Sequence, residues 1–385
     1  MQFVAAKDVR EGMYVSADVR DDQGRTLIAR GQRMGPHHIM RLRKFRIEAV
    51  FIDPNYGAQV ERPQTTEIRE RCVNLIVDSC KKLGEQFDAK RIQLDVAEIK
   101  AVAQKLMEAL LSCRKGLVTL LDISAGGDHL FQHSTNTAVL AAALAIDLRV
   151  PDALTKDLIT AMLFHDIGKL FMPDDLAQKQ TLPTAQEVQA LRKHPELSCE
   201  YLAKADAISP AAIEIILRHH EYMDGSGYPN ALVGDRLSIA MRIASVAEMY
   251  DSLTSSMFGQ APALPDAALS YLISNAGKQY APEVIATLAR RIALYPEGCA
   301  TLLNTGEVGV VAGTIPNAPM RPIVLVQYDR RGRKLSDPMI VDLTRDPGRS
   351  IVRSSRNIEE LLASRASAVV APPPRPVNAA MAMLG

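Results

Sequence analysis

The sequence predicts a mainly α chain: a long helical domain flanked by a small α+β module at the N-terminus and a small β extension towards the C-terminus. Three observations carry this. From about 116 to 293, apolar residues recur at helical spacing in Ala-rich stretches separated by Pro and Gly. Before residue 62, short Val- and Gly-rich runs alternate with turn signals. After Tyr295-Pro296 the apolar period shifts towards two. A chain of 385 residues that is 47% hydrophobic and 23% charged has the material for a sizeable core and for about two or three domains.

In residues 1–62, turn signals at Asp22-Gln-Gly24 and Arg30-Gly31, a helix-like stretch at 36–46 and an apolar run at 49–52 describe short strands with one helix. Residues 63–115 carry two apolar stripes at helical spacing. The first runs through Ile68, Cys72, Leu75, Ile76, Leu83 and Phe87, and the second, after an Asp95 cap, through Val96, Ile99, Val102, Leu106 and Leu110. These two amphipathic helices are expected to link the domains, pack within the chain or form a homodimer. In 116–293 helices are expected at 138–148, 156–165, 185–204, 209–220, 237–256 and 264–276. In 294–354 strands are expected at 307–311 and 321–327, with a turn at Asp329-Arg-Arg-Gly332. Residues 355–385, with Pro372-Pro-Pro-Arg-Pro376, lack the means to form a core and are expected to be a disordered tail.

The charge balance, 45 basic against 44 acidic residues, gives no global field towards a nucleic acid polymer or an anionic membrane. Five cysteines (72, 80, 113, 199 and 299) without CxxC spacing argue against a disulfide frame or thiolate metal site and for a reduced compartment. No run approaches the ~20 apolar residues that cross a bilayer. A cytoplasmic protein is the expectation.

The chemistry-bearing residues lie in the helical stretch. His165-Asp166-Ile-Gly-Lys169 closes an apolar helix, and His219-His220-Glu221 closes another before the turn Asp224-Gly-Ser-Gly227. His133 lies upstream and His194, before Pro195, lies between them. Five imidazoles and a carboxylate at this spacing supply enough ligands for two metal ions, and the carboxylate of Asp166, which can bridge two cations, is the expected bridging ligand. Lys169, three residues on, places an ammonium beside the metals to meet an anionic substrate. His37, His38 and His129 are expected to be ordinary surface or loop residues.

The run from His165-Asp166 to Gly227-Tyr-Pro229 resembles the HD-GYP family, a branch of the HD metal-dependent phosphohydrolases, over about 130–290. The stretch Val9–Tyr14 through Val50–Asp53 is similar to a module that often precedes such domains, and 296–343 to a β extension that follows some of them. The resemblance implies an all-helical HD-type domain that hydrolyses cyclic di-GMP to pGpG or GMP with hydroxide activated by two divalent metals, iron or manganese. It implies that His133, His165, Asp166 and Glu248 hold one metal, that Asp166 bridges to a second held by His194, His219 and His220, and that Lys169 is catalytic and faces the substrate phosphate. Two departures accompany the match. Glu248 stands where family members usually carry Asp. Ser256-Met-Phe-Gly-Gln260 stands where the family carries an Asp-Arg-Pro-Tyr-Lys run that grips the phosphates. With His129 where some members place a glutamate for a third metal, two metals are implied. The alternative implied by the uncharged stretch is a weakly active or inactive signalling module that binds a cyclic dinucleotide or partner proteins.

Overall fold

The structure is a computed structural model that describes residues 2–6, 9–11, 13–15, 19–20, 26–28, 32–45, 47, 49–53, 96–112, 129–173, 176, 179, 181–203, 208–255, 262–315 and 318–364. The first amphipathic stripe (68–87), the 256–260 stretch and residues 365–385 lie outside the described residues. The chain divides into two compact units, one holding the N-terminal module and the C-terminal β extension, the other the helical region.

In the N-terminal module, β1 (Gln2–Ala5) and β2 (Tyr14–Val15) flank β5 (Ala49–Asp53) in an antiparallel sheet, while β3 (Val19–Arg20) pairs with β4 (Thr26–Ile28). Between them α1 (Pro36–Lys44) begins with Pro36, whose missing N–H is one the first helical turn leaves unpaired anyway. Leu42 packs with Val15, Ile28, Met34 and Ile52 in a small core. His38 is a correction: it is buried, and its Nδ1 accepts the Gly35 N–H at 3.1 Å. His37 is exposed as expected, and His129 begins a helix.

The helical unit contains α2 (Val96–Ser112), α3 (His129–Asp147), α4 (Asp152–Phe164), a 3-10 turn (Ile167–Phe171), α5 (Ala185–Leu191), α6 (His194–Leu202), α7 (Pro210–Arg218), α8 (Ile239–Thr254), α9 (Pro265–Ser274) and α10 (Pro282–Arg291). Helix α3 is the central one and packs against α4, α8 and α10. Its run from Ala138 to Ile146 is buried on every side, which is why the sequence there is Ala, Leu, Val and Ile rather than amphipathic. The stripe of α2 (Val102, Ala103, Leu106, Met107, Leu110) is buried, and α2 packs on α3 and α4. That half of the stripe is therefore covered within the unit. The single helix expected over 185–204 is instead two. Thr184 caps α5 by a reciprocal exchange with Glu187, and Pro195, which cannot sit in a helix interior, falls in the first turn of a new helix starting at His194.

In the C-terminal extension β6 (Ala300–Leu303), β7 (Val308–Gly313), β8 (Ile323–Tyr328), β9 (Lys334–Asp342) and β10 (Ile351–Ser355) form one antiparallel sheet, in the order β10-β6-β7-β8-β9. The expected strands at 307–311 and 321–327 are β7 and β8, and Gly332 takes φ +77° in the turn between β8 and β9. Residues 358–364 correct the expectation of a tail from 355: α11 (Ile358–Ser364) buries Leu361 completely against Ala300, Leu302 and Val308. Three apolar residues, Ile358, Leu361 and Leu362, anchor about two turns of helix on an apolar sheet face. Among the described residues no helix is long and apolar enough to cross a membrane.

Candidate metal centre

Helix ends assemble the site. Successive side chains inside a helix diverge by about 100°, so two neighbours face one cavity only where the helix stops. Helix α4 stops at Phe164 with His165 as its C-cap, and Asp166 opens the 3-10 turn. Helix α7 stops at Arg218 with His219 as its C-cap and His220 following, their ring centres 4.1 Å apart. His194 is the first residue of α6, His133 lies on α3 and Glu248 on α8. All seven are buried.

Three of the imidazoles are oriented identically. Nδ1 of His165 donates to the Met162 carbonyl at 2.7 Å, that of His194 to Leu191 at 2.8 Å, and that of His219 to Ile216 at 2.7 Å. A carbonyl only accepts, so each ring carries a proton on Nδ1 and turns its Nε2 towards the cluster. Those Nε2 atoms converge: Nε2 of His194 and His219 are 3.1 Å apart, and Nε2 of His165 lies 3.3 Å from that of His133. Asp166 stands between the two pairs. Its Oδ1 is 3.1 Å from His194 Nε2, and its Oδ2 is 3.6 Å from His133 Nε2 and 3.7 Å from His165 Nε2. Oδ1 makes no hydrogen bond although it is buried. Burial pushes His219 and His220 well below ordinary imidazole, reinforced by the neighbouring rings, and pushes His194 down to about 4. Neutral rings with lone pairs aimed at one another and at an orphaned carboxylate oxygen are a donor set that a pair of cations satisfies. The residues form two groups able to hold an ion, His133 with His165 and Asp166, and His194 with His219 and His220. Glu248 joins the first, its Oε2 2.9 Å from His133 Nε2 and 3.1 Å from His165 Nε2. The longer Glu side chain therefore reaches the position that the resemblance gives to Asp.

Lys169 Nζ donates to Asp166 Oδ2 across three residues of the turn. Burial opposes the charged form of Asp166, but the Lys169 ammonium and the surrounding imidazoles hold its carboxyl well below the usual range. Lys169 is the partly exposed member of the pair, 19% against 1%.

Residues whose roles were not legible in the sequence hold this arrangement. Ser198 Oγ donates to the His165 carbonyl and accepts the Gly168 N–H, both at 2.8 Å, fastening the turn to α6. Asp251 Oδ2 accepts from His133 Nδ1 at 2.7 Å, and Asn136 Nδ2 donates to its Oδ1 at 2.9 Å. Burial opposes charge on His133, but the Glu248 and Asp251 carboxylates override it and raise its pKa well above that of an ordinary imidazole. The spacing of Glu248 and Asp251, three apart on α8, was a visible signal for a second carboxylate on the same face. If Asp251 orients a metal-binding ring, Asp251→Asn is expected to weaken metal binding about 10–100-fold, measured by titrating the metal-stripped protein; unchanged affinity would remove that role.

Beyond α7, Glu221 accepts the N–H groups of Asn230 and Leu232 and so folds the following loop back on the helix end. Asp224 Oδ1 accepts the Ser226 N–H at 3.0 Å, which makes Asp224–Gly227 a tight turn. At Gly227 a Cβ would lie 2.4 Å from the His220 carbonyl oxygen, so only glycine lets the chain pass. Tyr228 N–H then donates to that carbonyl at 3.1 Å.

Residues 121–284 match the HD domain family, and residues 301–362 match the KOW domain associated with HD domain. A cyclic di-GMP phosphodiesterase of Pseudomonas aeruginosa is 27% identical over 252 residues, covering 66% of this chain and 61% of that protein. The cyclic di-GMP phosphodiesterase response regulator RpfG of Xanthomonas campestris is 29% identical over 263 residues, covering 67% of this chain and 66% of the regulator. The helical unit is an HD domain of the HD-GYP type. The chain thus spans less than two thirds of each of these relatives. A 3'3'-cGAMP-specific phosphodiesterase of Vibrio cholerae is 34% identical over 125 residues, 32% of this chain and 24% of that protein. The HD-GYP domain of this chain therefore has relatives named for two different cyclic dinucleotides.

Proposed function

We propose that this protein is a cytoplasmic, metal-dependent phosphodiesterase that hydrolyses cyclic di-GMP to pGpG or GMP. The observation that carries the reading is the gathering of the Nε2 atoms of His133, His165 and His194 around the two oxygens of Asp166, with His219 Nε2 beside that of His194. His133, His165, Asp166 and Glu248 would hold one ion, and Asp166, His194, His219 and His220 the other. Divalent cations there, iron or manganese by the imidazole and carboxylate donor set, supply positive charge against the phosphoryl oxygens and lower the pKa of water. The protein's own part is to position. Five of the ligands, His165, Asp166, His194, His219 and His220, are buried side chains at helix ends or starts, so the geometry is fixed before substrate arrives. Lys169, partly exposed beside Asp166, is placed to stabilise a non-bridging phosphoryl oxygen. Relatives acting on cyclic di-GMP and on 3'3'-cGAMP support a cyclic dinucleotide as the substrate class.

The test is metal analysis of the purified protein, followed by incubation with cyclic di-GMP or 3'3'-cGAMP and manganese or ferrous iron, with products separated by chromatography. About two ions per chain and a linear product from cyclic di-GMP are expected. Two ions without product would favour the second reading, a binding or signalling module, for which the uncharged Ser256–Gln260 stretch speaks. That stretch also gives a prediction. Met257→Arg with Gln260→Lys is expected to tighten cyclic di-GMP binding about tenfold or more, since each charge-assisted hydrogen bond contributes about 1.5–3 kcal/mol. Calorimetry on the double variant that shows no gain would mean the ligand sits elsewhere.

A further inference from the structure

One imidazole in the cluster is held differently from the others. His165, His194 and His219 are pinned through Nδ1 by carbonyls of their own helices, and His133 by Asp251. His220 makes no such bond: its Nδ1 is buried without a hydrogen-bond partner. What the His220 ring has instead is a flat neighbour. The Tyr228 ring stacks on it, with centres 4.7 Å apart and planes 17° from parallel, and both residues are buried. The Arg192 guanidinium carbon lies over the same tyrosine ring, 5.0 Å from its centre, a distance at which a cation is attracted to the π face. The turn from Asp224 delivers Tyr228 to this place, since Gly227 passes against the His220 backbone and the Tyr228 N–H binds the His220 carbonyl.

We infer that Tyr228 is the positioning residue of His220: its stacked ring, braced by Arg192, fixes the plane of this one ligand as backbone carbonyls fix the planes of its neighbours. An imidazole with no hydrogen bond can rotate about χ2, and a ring packed flat against it removes that freedom without taking up a nitrogen. Stacking at this distance is worth about 0.5–1.5 kcal/mol between aromatic rings, so its loss acts on one ligand rather than on the whole fold. The inference rests on the reading of the cluster as a binuclear metal centre. It adds to that reading that the tyrosine contributes its ring and not its hydroxyl.

The experiment titrates the metal-stripped full-length chain with manganese(II) alone, following free ion by electron paramagnetic resonance, with fold monitored by near-ultraviolet circular dichroism. Wild type is expected to bind two ions. Tyr228→Phe keeps the ring and is expected to bind both within about threefold, while Tyr228→Leu is expected to weaken one ion about 10–100-fold. The ion weakened should be the one lost in His220→Ala, with the other unmoved, a selectivity that general loosening of the structure does not produce. Full affinity for both ions in Tyr228→Leu overturns the inference, as does Tyr228→Phe losing an ion. If the leucine variant does not fold, Tyr228→Met, which fills the space without a flat ring, takes its place with the same expectation and the same overturning result. Failure of wild type to take a second ion overturns the binuclear reading itself, whereas a two-ion wild type with an indifferent Tyr228→Leu overturns only the role of the ring.

Discussion

Asp166→Ala is expected to lose both metal ions and all measurable turnover. The two oxygens of Asp166 face both groups of imidazoles, with Oδ1 3.1 Å from His194 Nε2 and Oδ2 3.6 and 3.7 Å from Nε2 of His133 and His165. Removing the partner that merely orients a ligand costs about 10–100-fold in metal affinity, so deleting a ligand common to two ions costs more than that at each. The variant also leaves the Lys169 ammonium beside neutral rings without the carboxylate it now binds. A cation placed there repels incoming metal where before it was neutralised. Metal content per chain, measured together with hydrolysis of cyclic di-GMP, checks the expectation. Asp166→Asn separates charge from shape, because the amide fills the same space but cannot bridge two cations. If Asp166→Ala retains two ions per chain, the bridge lies on another residue and Asp166 does not join the two groups of imidazoles.

How much of this was legible in the sequence follows from which interactions are local. The helices were visible because burial imposes a period on the chain: α4, α7, α8 and α9 lie where the Ala-rich stretches placed them, while α3 begins earlier than the expected 138, at His129. The break at Arg192-Lys193 was marked by Pro195 alone, which sets a helix break at His194, whereas the extents of the two short helices on either side were not visible. Helix α11 was missed for a related reason. A seven-residue segment with two leucines is too short to show a period, and its anchor, Leu361, is buried by residues about fifty to sixty positions earlier, Ala300, Leu302 and Val308.

The seven candidate ligands are all buried, and the structure gathers them as two groups with Glu248 beside the first. What pattern reading cannot deliver is the layer behind them. Ser198 holds the His165 carbonyl from 33 positions away, and Asp251 holds His133 from 118 positions away. Serine and aspartate are common enough that neither announces such a bond. His38 is a local case instead: its partner Gly35 lies three positions away, but a glycine before a helix does not announce that a histidine ring turns back on its N–H.

Gly168→Ala is expected to collapse the centre while adding only one methyl group. A Cβ at 168 would sit 2.1 Å from the His194 carbonyl oxygen and 2.8 Å from both the N and Oγ of Ser198. These are backbone atoms at the start of α6 and the hydroxyl that fastens the turn, so no flexible side chain can swing away. Relief requires the His165–Lys169 turn to part from α6, which pulls His165 and Asp166 away from His194, the very separation that the 3.1 Å approach of Asp166 to His194 forbids. Overpacking of this kind costs about 1–3 kcal/mol, and more where backbone is the obstacle. The expected result is a urea midpoint shifted by an amount of that order with chelator present, plus the loss of at least one ion when metal is supplied. Gly313→Ala is the comparison, because its nearest neighbour is Ile323 Cδ1 at 3.8 Å, an ordinary contact, and its effect should stay within about 1 kcal/mol. The two substitutions are chemically the same and differ only in what the methyl group meets. Equal stability in both variants, with two ions bound in each, would mean that the turn and α6 do not approach as closely as His194 and Ser198 show, and that the glycine between Asp166 and Lys169 has some other reason to be there.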